Sequence, residues 1–319
     1  MKIKLWGVRG SMPTPLTGED IEQKIRKTLN LAKPGDLSSE ETVDEFLQTL
    51  PFSLKSTYGG NTTCIELTTD DGRTIIVDCG SGMVNLGKKL MNESFLDGTG
   101  YADILMTHTH WDHIQGIPFF APFYVKGNHF TFFSPIDDLH DRIMYQQVST
   151  HFPIIFDAMQ STKEFAFITT DETYLLQDDI KIFSKQMPHP GKSYGYRIEH
   201  NGKVFVYTSD CEFNITEIDQ IGDYENFFNN ADVLIFDAQY TFAEAMHKMD
   251  WGHSSAFIAV DIATRFNAKH LVLFHHDPAY GDSKLDDILT NTLNYQSVHD
   301  SKMEALKIDI AHEGLEIDI

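Results

Sequence analysis

Apolar residues along the chain follow two rhythms. Short runs rich in Ile, Val, Phe and Tyr, most of them bounded by Gly, Pro, Asn or Asp, fall at residues 2–6, 62–68, 74–77, 104–106, 130–133, 180–183, 204–207, 233–236 and 271–274. Branched and aromatic side chains suit a pleated, half-buried surface, so these runs predict strands. Between them, helical patterns occupy 84–91, 139–148, 254–266 and 284–295, where an apolar stripe would face a core. Strands and helices that alternate without a strict period predict a layered α/β protein. No internal repeat is visible, which excludes a solenoid.

Residues 18–54 have a different character. GEDIEQKIRKTLNLA and SSEETVDEFLQTL read as two charged amphipathic helices, broken by Lys33-Pro34-Gly35 and ended at Pro51. Ser38, with Glu41 three residues later, has the form of a capping box for the second helix. We expect one domain over residues 1–319, carrying an inserted helical hairpin at about 18–54. A surface excursion without chemistry is the simplest reading of that insert; shaping a substrate mouth or a dimer contact is the alternative.

Composition narrows the partners. Against 25 basic side chains stand 47 acidic ones, a net charge of −22 that repels long polyanions, so long nucleic acid is a disfavoured partner. No run of eighteen apolar residues occurs, and the start MKIKLWGVRG lacks the basic head and apolar stretch of a secretory signal, so no membrane association and a cytoplasmic location are expected. Cys64, Cys79 and Cys211 form no CxxC pair, and their odd number fits a reducing compartment. They are expected to be small buried residues.

The densest chemistry is Thr107-His108-Thr109-His110-Trp111-Asp112-His113, which follows the apolar run Ile104-Leu105-Met106. In extended chain, residues two apart face the same side, so His108 and His110 can share one cation at a strand end. A turn then carries Asp112 and His113 toward a second. A lone histidine is usually a satisfied structural residue; four such groups crowded together, buried without a cation, would each need a separate partner, at about 1–3 kcal/mol for each one unmet. Imidazole and carboxylate suit zinc, manganese or iron.

Residues 108–113 match the HxHxDH signature, and here the sequence resembles the metallo-β-lactamase superfamily. Other segments fit that family's remaining motifs: Asp78 after Thr74-Ile75-Ile76-Val77, His189 in Met187-Pro188-His189-Pro190, Asp210 after Val206-Tyr207-Thr208-Ser209, and His275 after Leu271-Val272-Leu273-Phe274. The resemblance implies a four-layer αββα sandwich. It also implies two divalent ions, with zinc the expected metal. His108, His110 and His189 would hold one ion, Asp112, His113 and His275 the other, and Asp210 would bridge them. His276 is the rival of His275 by one register step, and the resemblance favours His275. Asp78 would brace the ligand loop without binding metal.

Two ions about 3.5–4 Å apart can bring a shared water toward ionisation at neutral pH, so a bridging hydroxide is the expected nucleophile, with Asp112 orienting it. Trp251-Gly252-His253-Ser254-Ser255 resembles the histidine motif of the tRNA 3′-processing nucleases and their phosphodiesterase relatives, and Asp237 stands where that branch has an acidic residue, usually glutamate. His253 would then protonate the leaving oxygen while Asp237 orients it; the plainer reading of His253-Ser254 is a helix cap. Gly7-Val8-Arg9-Gly10-Ser11 and Gly59-Gly60-Asn61-Thr62 resemble segments that lie near the metal centre in the same branch. Ser193 and Tyr194 are candidates for phosphate contact.

Only about twenty residues separate His189 from Asp210, less than the substrate-gripping arm of tRNA-processing nucleases that carry it there would need. Together with the negative charge, this favours a small phosphodiester such as a cyclic nucleotide, with Phe119-Phe120-Ala121-Pro122-Phe123-Tyr124 as a base-stacking candidate. A tRNA 3′ endonuclease is the first alternative, and hydrolysis of a lactam or thioester the second. Flavodiiron-type redox chemistry is disfavoured because His110 stands where that motif has glutamate. A sensor that kept the metals but lost turnover is the non-enzyme alternative. A homodimer is compatible with this size and class.

Overall fold

A computed structural model describes residues 1–176, 179–208, 210–213, 221–299 and 306–319. The chain opens with β1 (Lys2–Gly7), then α1 (Gly18–Leu31), α2 (Glu40–Thr49) and the single turn α3 (Phe52–Lys55). β2 (Cys64–Thr68), β3 (Thr74–Val77), α4 (Met83–Leu90), β4 (Tyr101–Leu105), the short α5 (Trp111–Ile114), β5 (His129–Ser134), α6 (Leu139–Gln146) and β6 (Thr162–Phe167) follow. The second half holds β7 (Thr173–Leu176), β8 (Ile180–Met187), β9 (Ser193–His200), β10 (Lys203–Tyr207), α7 (Glu225–Phe228), β11 (Val233–Asp237), α8 (Phe242–His247), α9 (Ala256–Arg265), β12 (His270–Phe274), α10 (Asp282–His299), β13 (Lys307–Ile310) and β14 (Glu316–Asp318).

The strands form two seven-stranded mixed sheets, in the orders β14-β1-β2-β3-β4-β5-β6 and β13-β12-β11-β10-β9-β8-β7. In each, one half is antiparallel and the other parallel. Parallel neighbours need a crossover, which α4 supplies between β3 and β4 and α9 between β11 and β12. Ile3, Leu5, Ile65 and Val77 of the first sheet bury against a core shared with Ile182, Tyr196, Phe205 and Val272 of the second. A further core lies under α4 with Phe120, Phe123 and Phe130, and another under α9 and α10 with Phe227, Leu234 and Leu285.

All nine predicted strand runs are strands, and all four predicted helical patterns outside 18–54 are helices. The pattern missed the edge strands β6, β7, β13 and β14, and the inner strand β9, which is buried between β8 and β10 despite its polar residues. β9 and β10 are joined at Asn201-Gly202, both with positive φ (52° and 72°), a turn whose twist suits a two-residue hairpin. That Asn-Gly pair was the available signal. Because the chain turns straight back here, the stretch between His189 and β10 stays within the sheet and forms no protruding arm.

In 18–54, α1 and α2 lie where the charged patterns predicted them. The second cap differs from expectation: Ser39, not Ser38, accepts from the amide of Thr42, so the box closes on Thr42 instead of Glu41. Ser38 instead donates to the Gly35 carbonyl of the preceding turn. α1 packs on α3, and its Lys24 donates to the Ser56 carbonyl (2.7 Å) and pairs with Asp282 at the start of α10. Neither α1 nor α2 contains a buried residue.

Candidate metal centre

Asp78, His108, His189, Asp210, Asp237 and His275 all stand at or just beyond the carboxyl ends of strands β3, β4, β8, β10, β11 and β12. At that end of an α/β sheet the neighbouring loops converge on a crevice, which is where ligands bind. The fold therefore gathers side chains that the sequence scatters. Ser209, in the flank of Asp210, lies outside the described residues.

Two clusters result. Ligand-type atoms of His108, His110, His189 and Asp210 lie within 4.8 Å of one another, as do those of Asp112, His113, Asp210 and His275. Asp210 belongs to both. In the first, His189 Nε2 stands 3.2 Å from His110 Nδ1 and 3.9 Å from Asp210 Oδ2, and His108 Nε2 is 3.5 Å from the same oxygen. In the second, His113 Nε2 and His275 Nε2 each lie 3.1 Å from Asp210 Oδ1, and His275 Nε2 lies 3.2 Å from Asp112 Oδ2.

These atoms are close but poorly aligned with one another. Buried His108 Nε2, His113 Nε2 and Asp210 Oδ1 have no hydrogen-bond partner. Orphaned polar atoms cost about 1–3 kcal/mol each; a cation in the first cluster would satisfy His108, and one in the second His113 and Asp210 Oδ1. The donor set, imidazole nitrogen with carboxylate oxygen, is that of a transition-metal site. The residues present therefore fit a pair of divalent ions.

Outer contacts hold the donors in place. Asp78 accepts from the Thr107 amide (3.0 Å) and hydroxyl, from His113 Nδ1 (2.8 Å) and from the Tyr207 hydroxyl (3.3 Å), so it orients the His108–His113 loop without facing the clusters itself. His189 Nδ1 donates to the Gly252 carbonyl at 2.8 Å. His275 Nδ1 donates to Gln239 Oε1 at 3.2 Å, and Asp112 Oδ2 accepts from the Ser11 amide at 2.7 Å. Each such bond fixes which nitrogen or oxygen is turned inward. Asp78 and His275 both take positive φ (60° and 63°) directly after β3 and β12. That left-handed kink costs about 1–3 kcal/mol per non-glycine residue and turns each side chain off the strand toward the centre.

Charge divides the clusters. Burial pushes the imidazoles of His110 and His189 down, to about 4 and about 3, and pushes His108 down as well. These rings are neutral, with lone pairs free to bind. Burial acts the same way on His113 and His275, but the carboxylates of Asp210 and Asp112 outweigh it, raising His113 well above its usual range and His275 to about 9. Burial would raise Asp112 and Asp210 too, yet His113 and His275 hold both far below the ordinary carboxylate range. The second cluster is a concentrated negative field that takes up protons when no other cation is present.

The chain matches the family described as Beta-lactamase superfamily domain over residues 73–276. It belongs to the metallo-β-lactamase superfamily. Ribonuclease Z of Picrophilus torridus is 26% identical over 254 residues, which cover 66% of this chain and 78% of the relative. Human tRNase Z, short form, superposes with a TM-score of 0.60 at 18% identity, covering 100% of this chain and 99% of that one. Unliganded yeast PDE1 gives 0.59 at 14% identity, covering 99% and 98%. These structural likenesses establish the metallo-β-lactamase fold. As a member of the superfamily with histidine and aspartate clusters consistent with a dinuclear centre, the protein is a metal-dependent hydrolase.

The ligand candidates of this superfamily member converge on one centre, and the proton-donor candidates lie beside it. His253 Nδ1 donates to Asp237 Oδ2 at 2.8 Å, and its ring centre lies 5.0 Å from that of His275 and 5.4 Å from that of His189. Asp237, His253 and His275 form a third close group, but His275 Nδ1 is taken by Gln239 and its Nε2 faces Asp210. His276 donates to the Ala311 carbonyl instead, which leaves its neighbour at the centre. Both glycine-rich segments lie near. A Cβ on Gly10 would come within 2.5 Å of the His275 ring, and Arg9, buried beneath, donates to the Gly59 carbonyl at 2.8 Å.

Other expectations are corrected. Phe120 and Phe123 are core residues packed on Phe130, and the Tyr124 hydroxyl donates to the Pro118 carbonyl, so residues 119–124 offer no stacking platform beyond the exposed Phe119. Ser193 and Tyr194 are buried at the start of β9 rather than open to a phosphate. Sequence reasoning missed Gln239, a polar residue after a strand that carries no signal of its own, and gave no role to Trp111 and Trp251, 79% and 63% exposed beside His110 and Gly252. The three cysteines are free and buried. Among the described residues no helix is long and apolar enough to cross a membrane.

Proposed function

We propose that the protein hydrolyses a small phosphodiester, with a cyclic nucleotide as the substrate class. The observation that carries this reading is the His253–Asp237 pair set against both clusters. The thiolate released from a thioester needs no dedicated proton donor, whereas an alkoxide leaving a phosphate does, as does the amine of a lactam, so the pair speaks against the thioester and the family relatives for the phosphodiester. Asp237 is itself fixed by the amides of Cys211 (3.0 Å) and Gln239 (3.1 Å), so the imidazole it holds is aimed and does not swing.

His108, His110 and His189 would hold one cation, and Asp112, His113 and His275 the other, with Asp210 between them. Zinc suits these donors, as do manganese and iron. Bound there, two cations supply a water of lowered pKa and offset the charge of the phosphoryl oxygens. The chain's own part is positional. Asp112, held by the Ser11 amide, keeps one oxygen directed at the cluster, where it orients the attacking water. His253 delivers a proton to the departing oxygen from Nε2 while Nδ1 stays on Asp237. Trp111 and Trp251 provide exposed indoles against which a base stacks.

We read residues 1–319 as one unit carrying this site, with 18–54 as an insertion, and the three cores support a four-layer αββα reading. The absence of a protruding arm between His189 and β10 supports a small substrate over tRNA. Endonucleolytic cleavage of precursor tRNA is the second reading, favoured by the Ribonuclease Z relatives. Purified protein assayed on cyclic AMP, cyclic GMP and precursor tRNA separates the two; faster cleavage of the tRNA defeats the first. His253→Ala should lower turnover of a cyclic nucleotide by about 10²–10⁴-fold and of an aryl phosphodiester, whose leaving group needs little protonation, by far less. Equal losses on both, at unchanged metal content, would remove His253 from the proton-donor role.

A further inference from the structure

The loop that carries His253 has a constrained backbone. Asp250 and Gly252 both take positive φ (68° and 89°), and a Cβ on Gly252 would come within 2.3 Å of His189 Nδ1. Left-handed backbone is disfavoured for a residue with a side chain, so the surroundings must hold the loop in this shape. One carboxylate does so. The Asp250 amide donates to Glu212 Oε1 at 2.9 Å, and the Gly252 amide to Glu212 Oε2 at 2.7 Å. Hydrogen bonds to an ionised acceptor are about twice as strong as neutral ones, and a bidentate pair also fixes direction.

Glu212 stands two residues beyond Asp210, and its neighbours are engaged with the same loop. Its own amide donates to the Pro188 carbonyl at 2.7 Å, next to His189. The Ser254 hydroxyl donates to the Cys211 carbonyl (2.7 Å) and accepts from the Phe213 amide (2.9 Å). The loop is therefore gripped on both sides of His253, by Glu212 before it and by Cys211 and Phe213 after it. What Glu212 fixes matters twice. The Gly252 carbonyl is the acceptor for His189 Nδ1, which turns His189 Nε2 toward His110 and Asp210. His253 follows directly on Gly252, so the same two bonds set where its ring starts. Asp237 holds a nitrogen of His253, whereas Glu212 holds the backbone that carries it. We propose that Glu212 is a positioning residue of this centre, bracing His189 toward the first cluster and His253 toward the leaving group, the second of these resting on the donor role proposed above.

Two measurements on the full chain test it, with Glu212→Ala, Glu212→Gln and His253→Ala compared with wild type. The first is competitive chelator titration of the zinc-loaded proteins. Glu212→Ala should weaken zinc at the first cluster about 10–100-fold and leave the second unchanged, because His189 alone is braced through this loop. The second, with zinc in excess so that both clusters fill, is kcat and KM on aryl phosphodiesters whose leaving phenols run from strong to weak acids. For Glu212→Ala the loss in kcat should grow from less than about threefold at the most acidic phenol to about 10–100-fold at the least acidic, with KM unchanged. A residue that only supported the fold would lower kcat by one factor across the series. Glu212→Gln keeps the side chain's length but sets an amide donor against one of the two N–H groups, so it should shift both readouts in the same direction and guards against misfolding of the alanine variant. Unchanged zinc affinity at the first cluster in both Glu212 variants overturns the proposal. So do even kcat losses in those variants where His253→Ala gives graded ones. Should wild type cleave none of the series, or His253→Ala lose evenly across it, the function or the donor role proposed above fails, and the chelator titration alone decides on Glu212.

Discussion

The two clusters that share Asp210 are built for different grips. The one with His108, His110 and His189 has an exposed member, a single carboxylate and neutral imidazoles. The one with Asp112, His113 and His275 is wholly buried, has two carboxylates, and is braced by Asp78, Gln239 and the Ser11 amide. An ion in the open cluster would be the one open to solvent and substrate; an ion in the closed cluster would be held by charge and by pre-set geometry. One fold thus offers a tight structural grip beside an accessible one, with a single carboxylate linking them.

The largest effect should come from removing what the clusters share. Asp210→Ala is expected to empty both and to lower turnover by on the order of 10³-fold or more, read by metal analysis and rate on one sample. Retention of two ions per chain would end the shared-ligand reading. Next, His110→Ala and His275→Ala should separate the grips. Dialysis against a chelator should strip the open cluster first in wild type, His110→Ala should keep one ion, and His275→Ala should lose the more tightly held one. Equal retention in both variants would erase the contrast.

Gln239→Ala sharpens the comparison without touching a donor atom. It leaves the His275 ring free to turn, and metal affinity at the closed cluster should fall about 10–100-fold with the open cluster unaffected. Competitive chelator titration reads both.

The smallest effect is on the stability of the metal-free protein. His275, raised to about 9, and His113 contribute stability that is full below their ordinary pKa near 6.5 and lost as pH climbs through about 9. His110 and His189, lowered to about 4 and about 3, act in the opposite window: unfolded imidazoles take protons below about 6.5 that the folded ones refuse, so stability falls as pH drops. Denaturant titrations in chelator should therefore peak near pH 6.5, with His275→Ala flattening the alkaline limb and His110→Ala the acid limb. A profile unmoved by either substitution would show that the two clusters do not differ in charge as their surroundings require.

Much of the site was readable because its chemistry is local or motif-borne. His108, His110, Asp112 and His113 announce themselves within six residues, and a strand that ends in Asp or His explains Asp78, Asp210 and His275. Gln239 was not readable, since a polar residue after a strand is ordinary until His275 is seen 3.2 Å away. The aromatic run 119–124 misled for the converse reason: composition cannot say which face of a short segment meets a core, and Phe120 and Phe123 went inward. β9 escaped notice because its polar Arg197 and Glu199 are accommodated by pairing with β8 and β10, which periodicity within one segment does not register.

By itself the sequence determined the elements that have a strong period, the family they assemble into, and the candidate groups for the chemistry, because side-chain type and near-neighbour spacing are properties of the chain. Which cluster is open and which closed, and which imidazoles are neutral or charged, were decided only in three dimensions. Those properties depend on burial and on the fields of Asp112 and Asp210, and both arise from residues brought together from far along the chain.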